Sequence, residues 1–144
     1  MGMTVGAPLG GVLCDYSFRK WGSPWGRRGV PLVAITLSGL FGIVAPAIRD
    51  NTISAIVFSL AAGLQFVAAP PWATVIDITR RGTGILGGFM NGSGNLGSAL
   101  GTIAFPRLVR RMGWEGALEA AGATALISGL LWLLIDSSRQ IDRA

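Results

Sequence analysis

Three stretches of this chain, 29–48, 52–76 and 82–106, carry no charged residue for as long as a helix needs to cross a lipid bilayer. A hydrocarbon layer of roughly 30 Å takes about 20 apolar residues in a helix. A fourth stretch, 116–135, holds a single charge, Glu119, about one turn in, where an interface tolerates it and the bilayer centre does not. In hydrocarbon every amide needs an internal partner, so such runs must be helices. Only 13% of the 144 residues are charged, against about a quarter in soluble domains. The expected fold is therefore all-α: a polytopic membrane protein with four full transmembrane helices, whose first partner is the lipid bilayer.

A shorter uncharged stretch precedes them. Residues 1–15 hold about fourteen uncharged residues and end in Gly10-Gly11 and Asp15, too short to span. They read as the last turns of a helix whose start is missing; a short re-entrant or interfacial helix is the other reading. The basic residues set the orientation. With four crossings, Arg19, Lys20, Arg27, Arg28, Arg80, Arg81, Arg139 and Arg143 fall on one side, and Arg49, Arg107, Arg110 and Arg111 on the other. The excess of Arg and Lys places the first loop and the C-terminus in the cytoplasm, although three arginines in the fourth loop run against the pattern.

Several function classes drop out. Net charge is +5, but the basic residues are spread between apolar runs rather than clustered on one face, so no nucleic-acid surface is expected. Cys14 is the one cysteine and there is no histidine. No internal disulfide, no zinc set and no other metal or cofactor site is therefore expected. The seven acidic residues are dispersed, which argues against a catalytic cluster and against an enzyme.

The loop 10–28 reads GGVLCDYSFRKWGSPWGRR. Its glycines allow close backbone approach. Asp15 at the membrane edge can pair with an arginine, and Arg27 and Arg28 would hold the next helix at the headgroups. Charge pairs of this kind form in one conformation and break in another. Gly11, Asp15, Arg27 and Arg28 together resemble the signature loop of the major facilitator superfamily, in the looser form found after the eighth helix.

The third and fourth spans carry the polar candidates. In 52–76, Gln65 precedes Pro70-Pro71-Trp72; prolines kink a helix and free carbonyls that need partners. Gln65 and Trp72 either face a ligand or serve packing. In 82–106, Asn91, Asn95, Ser98 and Thr102 form one polar stripe at 100° per residue. Gly87, Gly94 and Gly101 flank it on one side, and Gly88, Gly92 and Ala99 on the other. The stripe either lines a cavity or bonds neighbouring helices, since two asparagines facing lipid would be expensive. So many glycines are expected to lie against closely packed helices.

From Trp72 through Asp77, Arg81 and Asn91 to Gly94-Asn95-Leu96-Gly97, then Gly113-Trp114 and the segment 131–136, the chain is similar to the anion:cation symporter branch of the same superfamily. The resemblance implies a twelve-helix, two-bundle transporter of the bacterial inner membrane, of which this chain supplies the end of helix eight through helix twelve. It implies a secondary carrier taking a small organic anion with a co-transported cation, a proton. Trp72, Asn91, Asn95 and Gln65 would then line the substrate cavity, and Gly11, Asp15, Arg27 and Arg28 would form a conformational latch. No charged residue lies mid-span, so the groups that couple protons and bind the anion are expected on absent N-terminal helices, and transport by this chain alone is not expected. The rival reading is a stand-alone small membrane protein that acts as an interaction or regulatory subunit.

Overall fold

The computed structural model describes residues 2–22, 25–65, 69–79 and 81–138. Of the basic residues used for orientation, Arg80, Arg139 and Arg143 lie outside them. Among the described residues five helices follow in order: α1 (Gly2–Trp21), α2 (Trp25–Val44), α3 (Asn51–Gln65), α4 (Ala69–Ile78) and α5 (Thr83–Leu131). Short 3₁₀ turns at Ala45–Ala47 and Trp132–Leu134 extend α2 and α5. The described residues contain no strand.

Helix α2 is the centre of the bundle. Its buried positions Ala34, Ser38, Gly39 and Gly42 are all small and recur at three- and four-residue intervals, which makes one smooth face. The C-terminal part of α5 answers with buried Ala117, Gly122 and Gly129. The two backbones come so close that a Cβ on Gly39 would lie 2.7 Å from the Leu126 amide nitrogen and 2.8 Å from the Gly122 carbonyl oxygen. Small residues at such a crossing replace the hydrophobic drive, which is absent between helices in lipid, with dense van der Waals contact. A third helix joins through a polar bond: Ser38 Oγ donates to the Ala61 carbonyl of α3 at 2.7 Å.

Local signals start the elements. Asp50 caps α3: its Oδ1 accepts from the Thr52 and Ile53 amides at 2.8 and 3.0 Å, satisfying donors that a helix start leaves free. Pro70 and Pro71 lie at the described start of α4, directly after residues 66–68. The kink expected inside 52–76 falls beside residues 66–68, outside the described set; α3 is described to Gln65 and α4 from Ala69.

The fourth and fifth expected segments are two helical stretches of α5 that meet at a kink. Gly113, at φ 76° and ψ 178°, is the single non-helical residue of α5. A backbone there is disfavoured for any residue with a Cβ. The bend returns the chain, so that Phe89 and Met90 line the same cavity as Ser128 and Trp132. By length and composition, two described helices can cross a bilayer: Trp25–Ala47 and Thr83–Leu134. The second holds 52 residues, about 78 Å of helix if straight, well over one crossing. The apolar helix Asn51–Gln65 is described over 15 residues.

The glycine shoulders of 82–106 find little packing among the described helices. Residues 91–104 are exposed throughout, and a Cβ on Gly88, Gly92, Gly94 or Gly101 would meet nothing within 4 Å. Of the glycine shoulders, Gly87 alone has a neighbour: the Trp72 ring, 3.1 Å from where its Cβ would stand. The tight glycine contact belongs to α2 and the end of α5, where two small-residue faces coincide.

This packing predicts that Gly39→Val, which drives a branched side chain into the α5 backbone, destabilises the chain by about 1–3 kcal/mol or more. Gly94→Ala, with open space around it, should be neutral or stabilising by up to about 1 kcal/mol. Thermal unfolding of the purified chain in detergent checks both; an equal loss in the two variants would contradict the packing.

Candidate functional site

The charged residues near the first connection converge on one guanidinium. The last turns of α1 carry Cys14, Asp15 and Phe18, and α2 opens with Trp25, Gly26, Arg27 and Arg28. Gly26 is buried, and a Cβ on it would strike the Phe18 backbone, so glycine here lets the two helix ends meet. Arg27 then reaches three groups at once. Its Nε donates to Asp77 Oδ2 at 2.7 Å. Its Nη1 donates to Asp15 Oδ1 at 3.2 Å and to Cys14 Sγ at 3.4 Å. The guanidinium also stacks on Phe18, with its carbon 4.5 Å from the ring centroid.

The two ion pairs are not equivalent. The Arg27 side chain is 11% exposed and Asp77 is 28% exposed, whereas Asp15 is 67% exposed. Water screens an exposed pair and leaves it worth little; the sheltered, shorter Arg27–Asp77 pair is the stronger tie. It joins the start of α2 to the last turn of α4. Arg28 makes a separate connection: its Nε donates to the Ile135 carbonyl, meeting the open end of the Trp132–Leu134 turn, a favourable place for a cation.

Of the four residues expected in the latch, the structure joins Asp15 and Arg27 directly. Arg28 stands beside them with its own partner, and Gly11 lies one turn before Asp15 in α1, half-buried. Asp77 is the member that sequence reasoning missed as a partner. Its signal was present: it is the one acidic residue in the stretch between the third and fourth spans, three residues before a pair of arginines.

The four cavity candidates are dispersed. Trp72 packs against Gly87 and remains 50% exposed. Asn91 and Asn95 lie on the open part of α5. Gln65 lines a different cleft of about 300 Å³, between α2, α3 and the end of α5, together with Ser38, Phe58 and Gly122. That cleft includes none of the other three. Among the described residues no cluster of potential metal ligands occurs.

Comparison with known proteins adds sequence-wide evidence. The chain is 31% identical to the probable galactarate/D-glucarate transporter of Bacillus subtilis over 133 residues, which cover 91% of this chain and 29% of that protein. It is 30% identical to the probable sulfoacetate transporter of Cupriavidus necator across 99% of this chain and 34% of that protein. Elsinochrome transporter 1 of Elsinoe fawcettii matches at 28% identity over 68% of this chain and 20% of its own length. The chain belongs to the major facilitator superfamily of transporters. It is an integral membrane protein, and it spans about a third of the length of the first two relatives. No family profile matches the chain, and no solved structure matches it.

The geometry of this superfamily member's charge cluster predicts unequal couplings. A double-mutant cycle on Arg27→Gln and Asp77→Asn, read from unfolding in detergent, should give about 1.5–3 kcal/mol. The same cycle with Asp15→Asn should give about 0–1 kcal/mol. The reverse ranking would contradict the burial difference.

Proposed function

We propose that the chain is the C-terminal part of a secondary active carrier of the anion:cation symporter branch, moving a small organic anion together with a proton by alternating access. The observation that carries the reading is the pair of relatives at 30% and 31% identity, which align with nearly all of this chain and are named for galactarate, D-glucarate and sulfoacetate transport. All three compounds are small organic anions. In this reading the complete protein has twelve helices in two bundles. This chain supplies the end of the eighth helix and then four spans: 29–48, 52–76, 82–106 and 116–135. Substrate would bind near the midplane between the bundles, as in other carriers built from repeats.

Trp72 would form an apolar wall of the cavity, with Asn91 and Asn95 as hydrogen-bond partners and Gln65 more peripheral. The exposure of Asn91 and Asn95 supports a role for that face of α5 toward something other than the described helices, because an amide side chain facing lipid is expensive. The anion's charge and the proton would be handled by the N-terminal helices, since the spans of this chain hold no mid-span charge. Gly11, Asp15, Arg27 and Arg28 would set the balance between inward- and outward-facing states, with Asp77 as a further member. The first loop and C-terminus would face the cytoplasm of a bacterial inner membrane.

The test is uptake of labelled galactarate into proteoliposomes carrying the full-length carrier, driven by an imposed pH gradient. Asn91→Ala and Asn95→Ala should each raise KM about tenfold or more; an unchanged KM would remove both residues from the cavity. Arg27→Gln should lower turnover about tenfold while KM stays within about twofold, as expected for a group that controls conformational exchange and does not touch substrate. A raised KM with normal turnover would count against the latch role. The chain expressed alone should insert into membranes and give no uptake.

A further inference from the structure

A groove of about 710 Å³ lies between α1, α2 and α3 and plays no part in the reading above. Its walls are two facing stripes at four-residue intervals. Leu13, Ser17 and Trp21 come from α1, and Trp25, Val33 and Leu37 are among those from α2. Ser17, its one hydroxyl, is buried, so the accessible wall is almost wholly apolar. From Leu13 to Trp21 is about 12 Å of helix and from Trp25 to Leu37 about 18 Å, so the groove is long, narrow and parallel to the helix axes. The volume falls in the range of ordinary ligand sites, yet it offers no polar group to orient a polar ligand.

One end of the groove is different. Trp21 and Trp25 stand at the connection between α1 and α2, each more than half exposed, the depth at which tryptophan sits in membranes. The Lys20 ammonium lies 5.4 Å from the Trp21 ring centroid, and the Arg28 guanidinium carbon 6.0 Å from that of Trp25. Arg19 and Lys20 are exposed, and neither has a carboxylate partner among the described residues. The carboxylate of Asp15, the acidic residue on this stretch of α1, is turned to Arg27. The groove therefore has an apolar shaft, an aromatic collar and a cationic rim, in that order from bundle to loop.

We propose that this groove binds an anionic phospholipid, with one acyl chain along the Leu13–Trp21 and Trp25–Leu37 stripes and the phosphate at Lys20. The polarity of the groove runs in the same sense as that of a lipid standing along the membrane normal, and the rim charge selects an anionic headgroup. A lipid seated there bridges α1 and α2, the helices that Arg27 and Asp15 also join. The proposal needs the chain to lie in a membrane and holds whatever the carrier transports.

Native mass spectrometry of the purified full chain in detergent, with equimolar dioleoyl phosphatidylglycerol and dioleoyl phosphatidylcholine, tests it. The wild-type chain should retain one phosphatidylglycerol, preferred about tenfold over phosphatidylcholine. Lys20→Gln leaves the apolar wall intact and should cut that preference to about threefold or less. Val33→Trp fills the shaft and should abolish retention of both lipids, with circular dichroism reporting that the helices persist; Ile103→Trp on the open part of α5 should change nothing. Equal retention of the two lipids by the wild-type chain would overturn the proposal, as would an unaltered preference in Lys20→Gln. If Val33→Trp fails to fold, the wild-type and Lys20→Gln results decide alone. A dimer that Val33→Trp dissociates, without lipid retention, would assign the groove to a second copy of the chain and likewise overturn it.

Discussion

The approach of α2 to the C-terminal part of α5 at Gly39 and Gly122 fixes where the other elements can lie. Contact at this distance leaves no room for a side chain on either partner, so the crossing is set by backbone shape. With that crossing in place, Arg28 at the start of α2 reaches the Ile135 carbonyl beyond the end of α5. From its other side α2 receives the Ser38 bond to α3. The 3₁₀ turn after α2 accepts the Ser54 hydroxyl at the Ala45 carbonyl, at 2.7 Å, which holds the return of the chain at the far end.

Charge is confined to the ends of this framework. Arg27 gathers Asp15, Asp77 and Cys14 at the loop end, and Asp50 serves the opposite end as a helix cap. Between them the buried polar groups are hydroxyls such as those of Ser17, Ser38 and Thr74. A hydroxyl can bond back to a carbonyl of its own or a neighbouring helix, and so can be carried in hydrocarbon at little cost. A guanidinium or carboxylate requires a counter-charge and some access to water. The distribution is that of a scaffold which bears strong electrostatics only where the bilayer ends.

Much of this was legible in the sequence, because the bilayer constraint acts locally. Charge-free runs of fixed length imply helices regardless of tertiary context. The pairing of Asp15 with Arg27 follows from opposite charges at two adjoining helix ends. Asp77 was not legible as the stronger partner, because 50 residues separate it from Arg27 and burial, which decides strength, is a property of packing. The glycine shoulders of 82–106 show the same limit. Glycine marks where close approach is possible, and only the arrangement of the other helices decides whether it occurs.

Gly113 has a consequence out of proportion to its size. The segments on either side are helical, and Phe105 and Trp114 meet edge to face across the bend at 6.2 Å. A residue with a Cβ would push this stretch toward ordinary right-handed backbone and thus toward a single straight rod. Such a rod would project tens of ångströms beyond the headgroups on one side, carrying Leu130, Leu131 and Leu134 into water. The bend between the two halves of α5 therefore turns on the one residue type that tolerates the mirror-image half of conformational space.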